Sequence, residues 1–206
     1  MTVYLLKTEE AGALPREFCE KHFPGRVKDP PRLQSLGAGA MIWYLTKLPE
    51  KDIIYNPNGK PCSEKGPHFS ISHSGGLIAG VSSDRPVGAD IENMERKHAG
   101  IEKRVFSAEE INWIRGGGDE RFFTAWTLKE ACVKLFGKSL AEELNTFPVL
   151  PLIGSGRAEL FDTPVFSGTL FIGDYAVSVC SEKEIPEVSP VFLTANDILK
   201  SENNDI

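Results

Sequence analysis

The spacing of hydrophobic and polar residues changes period several times along the chain, and each change predicts an element. Thr2 to Lys7 is a short apolar run that predicts a strand, and Leu14 to His22, introduced by Pro15, predicts a helix. Leu33, Leu36, Ala40, Trp43 and Tyr44 fall at helical spacing, so Leu33 to Lys47 predicts a core helix in which Gly37 and Gly39 permit close packing. Alternation then takes over. Phe69 to Ser72 and Leu77 to Ser82 predict strands, and the turn Ser83-Asp84-Arg85-Pro86 predicts that the second returns as the antiparallel partner of a third, Val87 to Glu92. Polar residues from Asn93 to Gly100 predict a linker, dividing the chain into halves at 1–98 and 99–206. Ser107-Ala108-Glu109-Glu110 is a capping box that commits Glu110 to a helix start, and Gly116 to Gly118 ends that helix. Trp126 to Gly137 predicts another helix, stopped by its glycine. Phe147 to Leu150, Ala158 to Phe161, Val165 to Ile172 and Tyr175 to Cys180 predict strands, the last two joined as a hairpin at Gly173-Asp174, and Ser201 to Ile206 reads as a loose polar tail.

Composition narrows the function. A net charge of −6 with both signs interspersed, and no basic run, excludes non-specific nucleic-acid binding, so an anionic ligand must be held locally. Cys19, Cys62, Cys132 and Cys180 lie far apart with no zinc spacing and read as reduced thiols of a cytoplasmic protein. No basic segment precedes an apolar run at the amino terminus, and no run of some 18 apolar residues occurs, so no membrane span is expected.

The strand Val87 to Glu92 puts Val87, Ala89 and Ile91 on one face and Gly88, Asp90 and Glu92 on the other. Its two carboxylates, roughly 6 to 7 Å apart along the strand, suit one hard cation or, equally, the wet face of an edge strand. Glu130 and Lys134 share a helical stripe, as part of a site or as an exposed ion pair. Phe69 to Gly76 ends in serines, His73 and two glycines, a composition suited to meeting phosphate or to a plain turn. The loop from Pro24 to Arg32 carries Arg26, Lys28 and Arg32, to hold a phosphate or to face solvent.

Gly59-Lys60-Pro61, Phe69-Ser-Ile-Ser-His-Ser74, Val87-Gly-Ala-Asp-Ile-Glu92, Phe106-Ser107 and Trp126-Thr-Leu-Lys-Glu-Ala-Cys-Val-Lys-Leu-Phe-Gly137 occur in an order and at spacings that resemble the 4′-phosphopantetheinyl transferase superfamily. The type resembled is the longer single-chain one that activates surfactin synthetase and other peptide and polyketide synthases. The resemblance implies an α+β pseudo-dimer of two similar halves, each a small antiparallel sheet with helices, with the active site at their interface. It implies a monomer that transfers the phosphopantetheine arm of coenzyme A to a serine of an acyl or peptidyl carrier protein, releasing 3′,5′-ADP. By motif position it implies Asp90, Glu92 and Glu130 as Mg²⁺ ligands and Lys134 beside the pyrophosphate. It likewise implies Ser72 and His73 at the 3′-phosphate, and Lys60 near the nucleotide.

The chemistry asks for the same equipment. Attack of a hydroxyl on a diphosphate needs its oxygens neutralised and the hydroxyl proton removed. Glu130 is the expected general base, directly or through water, with Glu110 second because of its capping role. Ser70 departs from the family pattern by standing where asparagine is usual, and the basic cluster for the ribose phosphate is reduced to Lys28 and Arg32. Carrier docking is expected through an apolar patch with a few cations near the linker and the helix after Phe106. Two other classes remain: a non-catalytic coenzyme A or carrier-protein binding module, against which the intact Asp90, Glu92, Glu130 and Lys134 speak, and a Mg²⁺ phosphohydrolase.

Overall fold

Val3 and Leu5 emerge from one side of the first strand and Leu6 from the other, and all three are fully buried, so this strand is covered on both faces. A computed structural model describes residues 1–96, 100–139, 143 and 145–202. In chain order its strands are β1 (Thr2–Lys7), β2 (Ile54–Tyr55), β3 (Pro61–Cys62), β4 (His68–Ser74), β5 (Leu77–Ser83), β6 (Val87–Asn93), β7 (Arg157–Leu160), β8 (Thr163–Ile172), β9 (Tyr175–Ser181) and β10 (Ser189–Leu193). Its α-helices are α1 (Thr8–Gly12), α2 (Arg16–His22), α3 (Leu33–Thr46), α4 (Glu102–Val105), α5 (Ala108–Arg115), α6 (Gly118–Phe136), α7 (Leu150–Ser155) and α8 (Ala195–Lys200).

The fold is α+β, as expected. One sheet has the order β10-β1-β5-β4 and the other β6-β9-β8-β7, with β2 and β3 forming a separate ribbon. All pairings are antiparallel except β1 with β10, which run parallel from Thr2↔Ser189 to Leu6↔Leu193. Val3, Leu5, Ala79 and Val81 of the first sheet meet Val87, Ala89, Ile91, Val177 and Val179 of the second in one apolar layer. The first sheet's other face holds Leu6 and Ile78 against Ala11, Phe18, Met41 and Ile198 of α1, α2, α3 and α8. The second sheet's other face holds Val165, Ala176 and Cys180 against α5, α6 and α7. Helices thus lie outside two sheets that share an inner core.

Several expectations are corrected. The β5 strand does not return onto β6. Pro86 has no N–H with which to begin a ladder, and its carbonyl accepts from the hydroxyl of Ser181, the last residue of β9, and from the Glu182 N–H just after it. The turn therefore carries the chain across to the second sheet, where Asp90 lies opposite Ser178 of β9. The expected boundary at 98/99 and the end of the tail, 203–206, lie outside the described residues. The chain nevertheless crosses between sheets twice, since β6 joins the second sheet and β10 with α8 returns to the first. Phe147 to Leu150 is not a strand. The Phe147 carbonyl accepts from buried Lys129 and the Val149 N–H donates to buried Glu110, leaving no free ladder, and α7 starts at Leu150. No helix among the described residues is long and apolar enough to cross a membrane.

Candidate active site

The site begins with a missing side chain. A Cβ on Gly88 would lie 2.0 Å from the Ala131 carbonyl oxygen and 2.4 Å from the Leu135 amide nitrogen, so α6 rests directly on the backbone of β6. With Ala131 and Leu135 on the strand, the residues one step earlier, Glu130 and Lys134, turn toward Asp90. One carboxylate oxygen from each of Asp90, Glu92 and Glu130 lies within 4.8 Å of the others. Gly137, at φ 61°, ends α6 in the left-handed conformation that glycine adopts cheaply. Its carbonyl accepts from the side-chain amides of Asn56 and Asn58 at 2.8 and 3.0 Å, which fastens the β2–β3 turn and its Lys60 to the end of α6.

Asp90 is 1% exposed. Its Oδ1 accepts from Lys134 Nζ at 2.6 Å and Ser72 Oγ at 2.7 Å, while Lys134 Nζ also donates to Ser72 Oγ at 2.8 Å. Its Oδ2 is buried with no hydrogen-bond partner. Glu92 accepts from Ser74 Oγ at 2.6 Å and Trp126 Nε1 at 3.4 Å, and Arg96 stands 3.7 Å away. Glu130 lies 3.8 Å from Lys134. Burial, then the Asp90 carboxylate, push the Glu130 carboxyl up to about 8; Glu92 adds to the rise and Lys134 opposes it. Repulsion among the three carboxyl groups, which raises the proton affinity of Glu130 despite Lys134, leaves a deficit of positive charge, and the partnerless Asp90 oxygen lacks a donor. An oxygen-seeking divalent cation satisfies both deficits, so the residues fit Mg²⁺.

The other expected site residues are more dispersed. Lys60 donates to the Val87 carbonyl at 3.0 Å and is pushed down to about 8, chiefly by burial, with nearby Lys134 acting in the same direction. Ser72 points to β6 and joins the carboxylate cluster, whereas its neighbour His73 is exposed on the opposite face of the strand. Lys28 and Arg32 are exposed in the loop before α3. Gln34, two residues on, donates to the carbonyl of Gly75 in the turn after His73, which puts the start of α3 beside that turn. Glu110 is outside the cluster. It is 1% exposed, closes the capping box, accepts from Val149 N–H and pairs with Lys129 at 3.2 Å, so every role it has is structural. Reading the sequence passes over Ser74 and Trp126 as partners of Glu92; the alternation of Ser70, Ser72 and Ser74 on one strand face was the available signal.

A sequence profile described as the 4'-phosphopantetheinyl transferase superfamily matches residues 86–180, the stretch from the start of β6 to β9. Across 80% of this chain and 76% of the relative, the sequence is 34% identical to the 4'-phosphopantetheinyl transferase psf-1 of Bacillus pumilus. It is 34% identical to the transferase ffp of Bacillus subtilis and 33% identical to Sfp of Bacillus subtilis strain 168, each over 84% of this chain and 83% of the relative. The matched stretch contains β6 and α6 and therefore all three clustered carboxylates. On these grounds the chain belongs to the 4'-phosphopantetheinyl transferase superfamily.

Proposed function

We propose that this protein transfers the 4′-phosphopantetheine arm of coenzyme A to a serine hydroxyl of an acyl or peptidyl carrier protein, releasing 3′,5′-ADP. The observation that carries this reading is the convergence of Asp90, Glu92 and Glu130 oxygens within 4.8 Å, on the part of the chain shared with proteins named for that transfer. Asp90, Glu92 and Glu130 would hold Mg²⁺, which when bound supplies positive charge to the diphosphate oxygens. Lys134 holds an ammonium beside the same cluster and adds charge there. Lys60, tied to β6 beside Lys134, extends the cationic side of the site toward the nucleotide. Glu130, from its place in the cluster beside Lys134 and Asp90, is assigned the serine proton, directly or through water. Exposed His73, Lys28 and Arg32 flank the edge formed by the β4–β5 turn and the start of α3, and we assign them to the 3′-phosphate, leaving the Ser72 hydroxyl with Asp90 and Lys134 in the carboxylate cluster.

The same reading treats the two sheet-and-helix layers as similar halves of one monomer, with the site at the seam where β4 faces β6. Each half has a four-stranded sheet clad by helices on its outer side, which supports it. Incubation of candidate carrier proteins with coenzyme A and Mg²⁺, followed by mass spectrometry, tests the reaction. A gain of one phosphopantetheine arm on a carrier serine is expected, and neither Asp90→Ala nor Glu130→Ala yields it. Cleavage of coenzyme A with no carrier present would identify a phosphohydrolase instead, and binding without either product a non-catalytic module.

A further inference from the structure

The β4 and β6 strands belong to different sheets, yet hydroxyls along β4 join them. Ser70 Oγ accepts from the Ala89 N–H at 3.0 Å, Ser72 Oγ donates to Asp90 at 2.7 Å, and Ser74 Oγ donates to Glu92 Oε2 at 2.6 Å. Ser74 is 1% exposed, and its oxygen also accepts from the Asn93 N–H at 3.0 Å and from Arg96 at 3.4 Å. That acceptance fixes the hydroxyl so that its single proton is directed at Glu92. The carboxylate on the second sheet is therefore aimed by a side chain of the first.

We infer that Ser74 is a positioning residue that orients Glu92 for the cation from across the seam between the sheets. The inference rests on the metal reading above, and it separates Ser74 from Ser70, whose hydroxyl meets only a backbone amide. Partners that orient a metal ligand are worth about 10- to 100-fold in metal affinity. The test is titration of the full chain with Mn²⁺, an ion suited to the same oxygen donors, followed by calorimetry or by the spin-resonance signal of free Mn²⁺. Ser74→Ala is expected to raise the Mn²⁺ Kd about 10-fold or more, while Ser70→Ala, which breaks the same seam, leaves it within about 2-fold. Ser74→Thr against Ser74→Val asks the same question with two side chains of one shape, should the alanine variant not fold; the threonine protein binds tighter. Equal Mn²⁺ affinity in wild type and Ser74→Ala, or an equal loss in Ser70→Ala, overturns the positioning role. Absence of saturable Mn²⁺ binding in the wild type overturns the metal reading itself.

Discussion

A carboxyl held at about 8 makes the protein's stability depend on the charge state of Glu130. Its affinity for protons is higher folded than unfolded, so its contribution to stability is complete below the ordinary carboxylate range and is lost as pH rises through about 8. Glu130→Gln removes that loss. In chelator, the thermal midpoint of Glu130→Gln is expected to exceed wild type most at about pH 9 and least near pH ~5, while transfer falls about 100-fold or more. A midpoint difference that does not widen with pH would show that Glu130 ionises at its ordinary value. Strand and helix periodicity put Asp90 and Glu92 on one face and Glu130 and Lys134 on one stripe, and the family resemblance, not the periodicity, implied that the two sets meet. The serine partners were only half legible: alternation puts Ser70, Ser72 and Ser74 on one face of β4, but which strand that face meets depends on how the two sheets pack, which no local pattern shows. Ser72 illustrates the limit: its motif position implies phosphate, while its hydroxyl lies against Asp90 and Lys134.

Among the elements, α6 decides the site, and two contacts set where it lies. Gly88→Ala would drive a methyl into the helix backbone, which cannot yield as a flexible side chain does. We expect a loss of about 1–3 kcal/mol in urea unfolding, together with weakened metal binding as Glu130 moves off the strand. Deeper in the same helix, Lys129 and Glu110 are each 1% exposed and form a pair that ties α5 and the 147–149 segment to α6. Lys129→Met strands a buried carboxylate and is expected to cost about 3–5 kcal/mol, and adding Glu110→Gln to it should recover part of that loss in the same assay. The capping boxes of α5 and α8 are both built from a hydroxyl residue and an acid three positions later. That pattern makes helix starts readable, and α8 was open to the same reasoning. Phe147 to Leu150 misled because a four-residue apolar run has no period, and the bonds that prevent a strand come from Lys129 and Glu110, far away in sequence.

At the level of the whole molecule, sheet membership was the least legible property. Hairpin logic fits β4 with β5 and β8 with β9, and fails at β5 to β6 because the chain steps between sheets there. Parallel pairing of β10 with β1 leaves no local mark at all. That last strand, with α8, places Leu193 and fully buried Ile198 in the core on the outer face of the first sheet. Removing residues 189–202 deletes both and bares the edge of β1. At about 2–5 kcal/mol for each large aliphatic lost, against a typical total of about 5–15 kcal/mol, circular dichroism should find no cooperative thermal transition in the truncated chain. The β1–β10 pairing also has a consequence for biosynthesis. Thr2 is synthesised long before its partner Ser189, so until β10 is made one edge of β1 offers a row of unmatched amide and carbonyl groups to any neighbouring polypeptide. That edge is closed only once Ser189–Leu193 has docked, so the first sheet is completed by nearly the last segment of the chain described.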